Sequence, residues 1–156
     1  MKQNRLILVD GSGYIFRAFY ALPPMTRTDG TPVNAVFGFT SMLLKLSQDM
    51  EGENILVVFD AARATFRNKI YKDYKANRPD PPDELVPQFS LIRDATEAIG
   101  LKSLEVDEYE ADDIIATYTK FAVKQNIETV IISSDKDLMQ LIQGGVSLYD
   151  PMKNTP

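Results

Sequence analysis

The chain has 156 residues, 44% of them hydrophobic and 25% charged, with a net charge of −5. This composition suits one globular domain that buries about two-thirds of the surface of its unfolded chain. Cysteine and histidine are both absent, which excludes thiolate nucleophiles, serine-histidine-aspartate triads and cysteine/histidine zinc sites. Any catalysis must therefore use carboxylates, lysines, hydroxyls, backbone groups or hard metals such as Mg²⁺ and Mn²⁺, which prefer oxygen ligands.

The sequence shows no signal for a membrane. No apolar run approaches the roughly 20 residues that cross a bilayer. The N-terminal sequence MKQNRLILVDGSG reaches an aspartate too early for a signal peptide. We therefore expect an intracellular, cytoplasmic protein without a membrane partner.

Short β-rich runs alternate with helical patterns along the chain. Strands are expected at 5–9, 55–59 and 129–133, with weaker ones at 102–106 and 146–149. Helices are expected at 34–50 with Asn34 as N-cap, at 85–99 and at 110–124. This alternation predicts an α/β fold with a mostly parallel central sheet and helices on both faces.

Aspartates follow three of the predicted strands. Asp10 follows the first strand, Asp60 the second, and Asp135 and Asp137 the strand at 129–133. In open α/β sheets the carboxyl ends of the strands line the crevice where ligands bind. We therefore expect these side chains to face one another.

The stretch LEVDEYEADDIIATY, residues 104–118, holds six carboxylates and no basic residue. Two carboxylates about 4 Å apart repel by roughly 4 kcal/mol at an effective dielectric near 20, so a close cluster needs a counter-charge. A helix-capping role stays open for each acid, because the macrodipole favours acids in a first turn. Capping calls for only one or two acids, however, and Glu110, Asp112 and Asp113 all begin the predicted helix. With the strand-end acids they indicate a pair of divalent cations, which can activate water and stabilise the leaving oxygen in phosphoryl transfer.

The segment RATFRNKIYKDYKANR, residues 63–78, holds six basic residues against one acid, a local net charge of +5. A helix here would carry cations on one flank and rings on the other, an arrangement that proteins use to bind single-stranded nucleic acid. More commonly, however, a helix rich in lysine and arginine simply exposes these side chains to solvent and binds no ligand. Its position directly after Asp60 favours the binding of single-stranded nucleic acid, and the side chains expected to take part include Arg63, Phe66, Arg67 and Lys72.

Four blocks occur in order along nearly the whole chain: VDGSGYIFRAFYALPP, VVFDAARATFRNKIYKDYKANRP, YEADDIIAT and SSDKDLMQLI. They resemble the 5′ nuclease domain of bacterial DNA polymerase I, in the flap endonuclease group. The resemblance implies a PIN-like α/β core over residues 1–156. It also implies a basic helical arch or clamp, inserted at 61–84, through which a 5′ single strand passes. The implied activity is metal-dependent, structure-specific hydrolysis of DNA at 5′ ends or flaps, as a 5′-3′ exonuclease serving primer removal and repair.

The resemblance also implies roles for individual residues. The positions that bind two Mg²⁺ or Mn²⁺ ions in the family fall on Asp10, Asp60, Glu110, Asp112, Asp113, Asp135 and Asp137. Lys75 and Arg78 match basic residues near the scissile phosphate, so we expect them to be catalytic together with Asp10, Asp60, Glu110, Asp112 and Asp113. Tyr74 matches an aromatic residue of the arch that contacts DNA. Arg17 is similar to an arginine that supports phosphate binding.

The C-terminal end departs from the family pattern. Family members continue past a strand like VSLYD into two further metal-ligand aspartates and a helix-hairpin-helix that grips duplex DNA, whereas this sequence ends at PMKNTP. We therefore expect a fragment of a longer bacterial, nucleoid-associated protein with a polymerase domain in the same parent chain. Without those ligands one metal position should be weaker, which leaves the activity of the fragment alone open.

Two other functions are compatible with the sequence. In a non-catalytic module that binds single-stranded nucleic acid, the acids would serve solubility and the basic helix would do the binding. In a phosphoacceptor domain Asp60 would be modified, but the acids are too numerous and too dispersed to favour that function.

Overall fold

Five strands form one parallel sheet in the computed structural model of the chain, which describes residues 5–50, 54–60, 82–106 and 109–151. The strands are β1 (Arg5–Asp10), β2 (Asn54–Val58), β3 (Lys102–Leu104), β4 (Glu128–Ile132) and β5 (Val146–Tyr149). Their order across the sheet is β3-β2-β1-β4-β5, and every neighbouring pair is parallel. The five carboxyl ends therefore lie at one edge of the sheet.

Helices connect the strands. Within the described residues these are α1 (Gly11–Ala21), α2 (Asn34–Asp49), α3 (Gln88–Ala98), α4 (Ala111–Lys124) and a 3₁₀ helix (Lys136–Leu141). Among the described residues, no helix combines the length and the apolar character needed to cross a bilayer.

The core lies on both faces of the sheet, because successive side chains of a strand point to opposite sides. On one face, Ile7 and Val9 of β1 pack in a buried cluster with α1, α2 and α3. On the other face, Leu8 of β1 packs with α4 and with Leu138 of the 3₁₀ helix. Burial on both sides explains why the central strands are almost continuously apolar. The predicted α/β fold with helices on both faces is confirmed.

The expected elements are found with small shifts at their ends. The helix expected at 85–99 begins only at Gln88, because residues before it form turns in which the N–H of Leu85 donates to the carbonyl of Pro82 at 2.9 Å. The periodicity did not predict α1, which starts immediately after Asp10. There the Asp10 side chain accepts a hydrogen bond from the N–H of Gly13 at 3.2 Å and so caps the helix.

The expected N-cap role of Asn34 is wrong. Val33 holds the N-cap position of α2, while Asn34 lies in the first turn and is buried. Its side-chain amide donates to the carbonyl of Phe19 at 3.0 Å, and its side-chain oxygen accepts from Gln88 at 2.9 Å. Gln88 in turn accepts the N–H of Val36 at 3.0 Å. This buried network joins α1, α2 and α3.

Most of the predicted basic arch, 61–84, lies outside the described residues. The same holds for Arg63, Phe66, Arg67, Lys72, Tyr74, Lys75 and Arg78. Their assigned roles stay predictions. The chain is described again from Pro82, in the turns that precede Gln88 and α3.

Candidate metal centre

The strand order reverses at the centre of the sheet. From β1 the chain builds β2 and β3 on one side and then β4 and β5 on the other. In open α/β sheets ligands bind in the crevice at such a switch point, outside the carboxyl ends of the strands. Here the switch point lies between β1 and β4, where Val9 pairs with Ile132. The next residues along these strands, Asp10 and Ser133, therefore meet at the mouth of the crevice.

Three carboxylates from different elements converge at this point. Asp10 ends β1, Asp112 lies in the first turn of α4, and Asp135 follows β4. One carboxylate oxygen from each lies within 4.8 Å of the others. Asp10 is 5% exposed, and the other two are half-buried. The fold therefore brings together three of the seven predicted metal ligands.

The crowding changes the acidity of these groups. Burial raises the pKa of Asp10 to about 6, and the charges of Asp60 and Asp135 act in the same direction. Burial also raises the pKa of Asp112 to about 7, with the charges of Asp10 and Asp135 as the next causes. A nearby cation would favour the ionised forms. The three carboxylates offer only hard oxygen donors, so the site fits Mg²⁺ or Mn²⁺ rather than a soft metal.

Asp60 lies next to this group and is held by its own set of bonds. Its Oδ1 accepts the N–H of Ala111 at 2.5 Å, which ties the end of β2 to the start of α4. Its own N–H donates to Ser12 Oγ at 2.7 Å, and its carbonyl accepts from Arg93 at 3.1 Å. Backbone and side chain of Asp60 are thus both fixed, and its charge contributes to the raised pKa of Asp10 and of Asp112.

The remaining predicted ligands, Glu110, Asp113 and Asp137, line an adjacent cavity of about 610 Å³ together with Asp112 and Lys136. Glu110 is the N-cap of α4, and Asp113 accepts its backbone N–H at 3.1 Å. A capping role, left open by the sequence, therefore holds for Glu110 and Asp113, which form a capping box at the start of α4. The N–H of exposed Asp137 donates to Asp135 Oδ1 at 2.9 Å. A metal-binding role for these three residues stays a prediction.

Arg17 lies on α1, and it pairs with Asp150 beyond the end of β5. Arg17 Nη1 donates to Asp150 Oδ2 at 3.0 Å, and the hydroxyl of Tyr14 donates to Asp150 Oδ1 at 2.8 Å. The proposed contact of Arg17 with DNA stays a prediction. No role was predicted for Asp150, although it shares the pattern of Asp10 and Asp60, an acid that follows a strand.

Two residues that hold Asp60 and Asp10 in place, Arg93 and Ser133, were also not predicted from the sequence. Arg93 Nε donates to Glu105 Oε1 at 2.6 Å, its guanidinium lies 4.8 Å from the centre of the Phe59 ring, and it holds the carbonyl of Asp60. Ser133 Oγ donates to Asp10 Oδ2 at 2.9 Å. No pattern marks Arg93 or Ser133 in the sequence, because each acts across elements distant along the chain.

The chain is a parallel α/β domain with acidic residues at the carboxyl edge of its sheet. Its architecture is known from solved structures. A bacteriophage T5 flap endonuclease, solved in complex with DNA and metal ions, superposes with a TM-score of 0.68 at 22% identity. The match covers 97% of this chain and 57% of that one. At this identity the likeness shows the fold alone.

The sequence comparisons define the family. A model of the 5′-3′ exonuclease, N-terminal resolvase-like domain, matches residues 5–156, and the chain belongs to this family. DNA polymerase I of Rhizobium leguminosarum is 52% identical over 161 residues, covering 98% of this chain and 16% of that protein. A 5′-3′ exonuclease of Aquifex aeolicus is 40% identical over 149 residues, covering 96% of this chain and 52% of that protein. The chain thus spans between a sixth and a half of the length of these two relatives.

Proposed function

We propose that this chain is the core of a divalent-metal-dependent 5′ nuclease that hydrolyses DNA phosphodiesters at 5′ ends or flaps. The observation that carries the proposal is the convergence of Asp10, Asp112 and Asp135, with carboxylate oxygens within 4.8 Å of one another. Membership of a 5′-3′ exonuclease family supports the choice of reaction. The sequence has no histidine or cysteine, so a metal held at this site would be bound by oxygen ligands, which hard cations such as Mg²⁺ and Mn²⁺ prefer.

In this proposal Asp10, Asp112 and Asp135 hold Mg²⁺ or Mn²⁺. When bound, such an ion supplies a Lewis acid that polarises the phosphoryl oxygens and lowers the pKa of water. Asp60, whose carboxylate is held by the N–H of Ala111, is proposed to add its negative charge to the same centre. Glu110, Asp113 and Asp137 line the cavity beside it and are proposed as ligands of a second ion.

The proposed substrate is DNA with a 5′ single-stranded flap or a 5′ end. Residues 61–84 would form the arch that receives the strand, with Lys75 and Arg78 near the scissile phosphate and Tyr74 against a base. Arg17 lies at the carboxyl edge of the sheet. There its guanidinium would leave its ion pair with Asp150 and bind a phosphate of the DNA instead. We further propose that the parent protein carries a polymerase domain in the same chain and acts in the bacterial nucleoid.

A metal titration and a cleavage assay test the proposal. In the chain itself, calorimetric titration should detect Mn²⁺ binding that Asp112→Asn weakens at least tenfold. The matched control is Asp94→Asn, which changes an exposed aspartate of α3. In the full-length parent, Asp112→Asn should abolish cleavage of a 5′ flap while the far-UV spectrum stays unchanged. A parent carrying Asp112→Asn that still cuts flaps at the normal rate would refute the proposal.

The same experiments identify the alternative, a non-catalytic module that binds single-stranded nucleic acid. That function predicts no tight Mn²⁺ binding, together with a loss of single-strand affinity in Lys75→Ala. The nuclease predicts both Mn²⁺ binding and weaker strand binding in Lys75→Ala. The metal titration therefore distinguishes the two functions.

A further inference from the structure

We propose that Ser133 is a positioning residue of the metal centre, whose hydroxyl holds the carboxylate of Asp10 in place relative to Asp135. The inference rests on the proposed function, because it concerns the same acidic group. It adds a residue that is not itself a ligand and that lies 123 positions from Asp10 along the chain.

The hydroxyl of Ser133 bridges two of the converging acids. Ser133 Oγ lies 2.9 Å from Asp10 Oδ2 and also 2.9 Å from the backbone nitrogen of Asp135. A backbone N–H can only donate, so Asp135 uses an acceptor lone pair of the hydroxyl. The hydroxyl hydrogen is then available for Asp10, whose ionised carboxylate can only accept. The chain of bonds runs in one direction, from Asp135 through Ser133 to Asp10.

This bridge holds Asp10 on one side, and α1 holds it on the other. Asp10 Oδ1 accepts the N–H of Gly13 at 3.2 Å, while Oδ2 accepts from Ser133. An ionised carboxylate has about four lone-pair positions, so each oxygen keeps capacity for a cation. The two donors therefore set the orientation of the carboxylate without occupying all of its acceptor sites.

Burial strengthens the hydrogen bond between Ser133 and Asp10. Ser133 is 1% exposed and Asp10 5% exposed, so water has little access to either partner. Hydrogen bonds to charged groups in such surroundings are stronger than neutral ones. The position of Ser133 is set by the sheet, because Val9 and Ile132 directly before the two residues are paired in register. Partners of this kind orient metal ligands, and their loss typically lowers metal affinity about 10- to 100-fold.

Titration of the 156-residue chain with Mn²⁺ alone tests the inference. Ser133→Ala should weaken Mn²⁺ binding about 10- to 100-fold. Ser134→Ala is the matched control, because Ser134 is the adjacent half-buried serine, and it should bind Mn²⁺ like the wild type. Thermal unfolding in EDTA shows whether each variant is folded. If Ser133→Ala does not fold, Ser133→Cys carries the test, since its thiol nearly keeps the volume but is a weak donor.

A double-mutant cycle shows whether Ser133 acts through Asp10. In an Asp10→Asn background, Ser133→Ala should cause little further loss of Mn²⁺ affinity, because the carboxylate that it positions is already gone. An undiminished further loss would overturn the inference. So would a folded Ser133→Ala or Ser133→Cys chain that binds Mn²⁺ as tightly as the wild type. A wild-type chain that binds no Mn²⁺ would instead refute the proposed function, and this inference with it.

Discussion

The backbone N–H of Ala111 donates to Asp60 Oδ1 over 2.5 Å, joining two residues 51 positions apart. The bond fixes the first turn of α4 against the end of β2 and so carries Asp112 toward Asp10. It also orients the carboxylate of Asp60, whose carbonyl is held separately by Arg93 at 3.1 Å. The geometry of the acidic group therefore depends on residues that are not acids.

Arg93→Ala should destabilise the protein by about 1 to 3 kcal/mol, because it removes a charge-assisted hydrogen bond and leaves backbone acceptors without their donor. Arg93 bonds the carbonyls of Asp60 and Phe89 as well as Glu105. Urea unfolding monitored by circular dichroism measures the change. Arg27→Ala is the control, since Arg27 forms an exposed pair with Asp29, and it should leave the midpoint unchanged. Equal midpoints for the two variants would contradict this role of Arg93.

Gly13→Ala should weaken Mn²⁺ binding at least about tenfold while the protein stays folded. A Cβ at this position would lie 2.7 Å from Asp10 Oδ2, so the carboxylate must move away. Alanine is also a better helix former than glycine by about 1 kcal/mol, which offsets part of the strain. Calorimetric titration with Mn²⁺ measures the effect. Gly144→Ala, where a Cβ meets nothing within 4 Å, is the control and should bind Mn²⁺ normally.

Gln88→Leu should lower the free energy of unfolding by about 2 kcal/mol or more, because it leaves several buried polar groups without partners. Gln88 is 0% exposed and bonds the N–H of Val36, the side chain of Asn34 and the carbonyl of Glu84. Denaturant unfolding measures the loss. Gln48→Leu, on the exposed surface of α2, should have little effect. A Gln88→Leu variant as stable as the wild type would show that the network contributes nothing.

Tyr14→Phe should reduce the loss of stability at alkaline pH. Burial, followed by the hydrogen bond to Asp150, raises the pKa of Tyr14 well above its ordinary value of 10.0. Above pH 10 the unfolded chain therefore releases the Tyr14 proton, whereas the folded chain keeps it. Ionisation then favours the unfolded state, so the stabilisation that protonated Tyr14 provides below pH 10 is lost as the pH rises. Urea unfolding at pH 9, 10 and 11 should show a steeper decline for the wild type than for Tyr14→Phe. Tyr20→Phe changes an exposed ring and should follow the wild type; a Tyr14→Phe curve parallel to both would contradict the prediction.

Local patterns predicted the strands and most helices because apolar periodicity reports which faces a segment buries. They did not predict α1, because glycine has a low helix propensity and two glycines stand near its start. Tertiary contacts override that propensity here. A Cβ on Gly11 would lie 2.7 Å from the Phe59 ring, so only glycine fits where α1 passes over β2.

The sequence by itself determined which ligand atoms the chain can present to a metal ion. It contains no cysteine or histidine, and acids follow its strands, so these atoms are carboxylate oxygens. Only the tertiary structure decided which acids meet. Asp10, Asp112 and Asp135 converge because β1 lies between β2 and β4, an adjacency that spacing along the chain does not encode. The same adjacency places Ser133 against Asp10. Hydrogen bonds between distant segments depend on strand register and helix docking, which are properties of the packed sheet rather than of any local stretch of sequence.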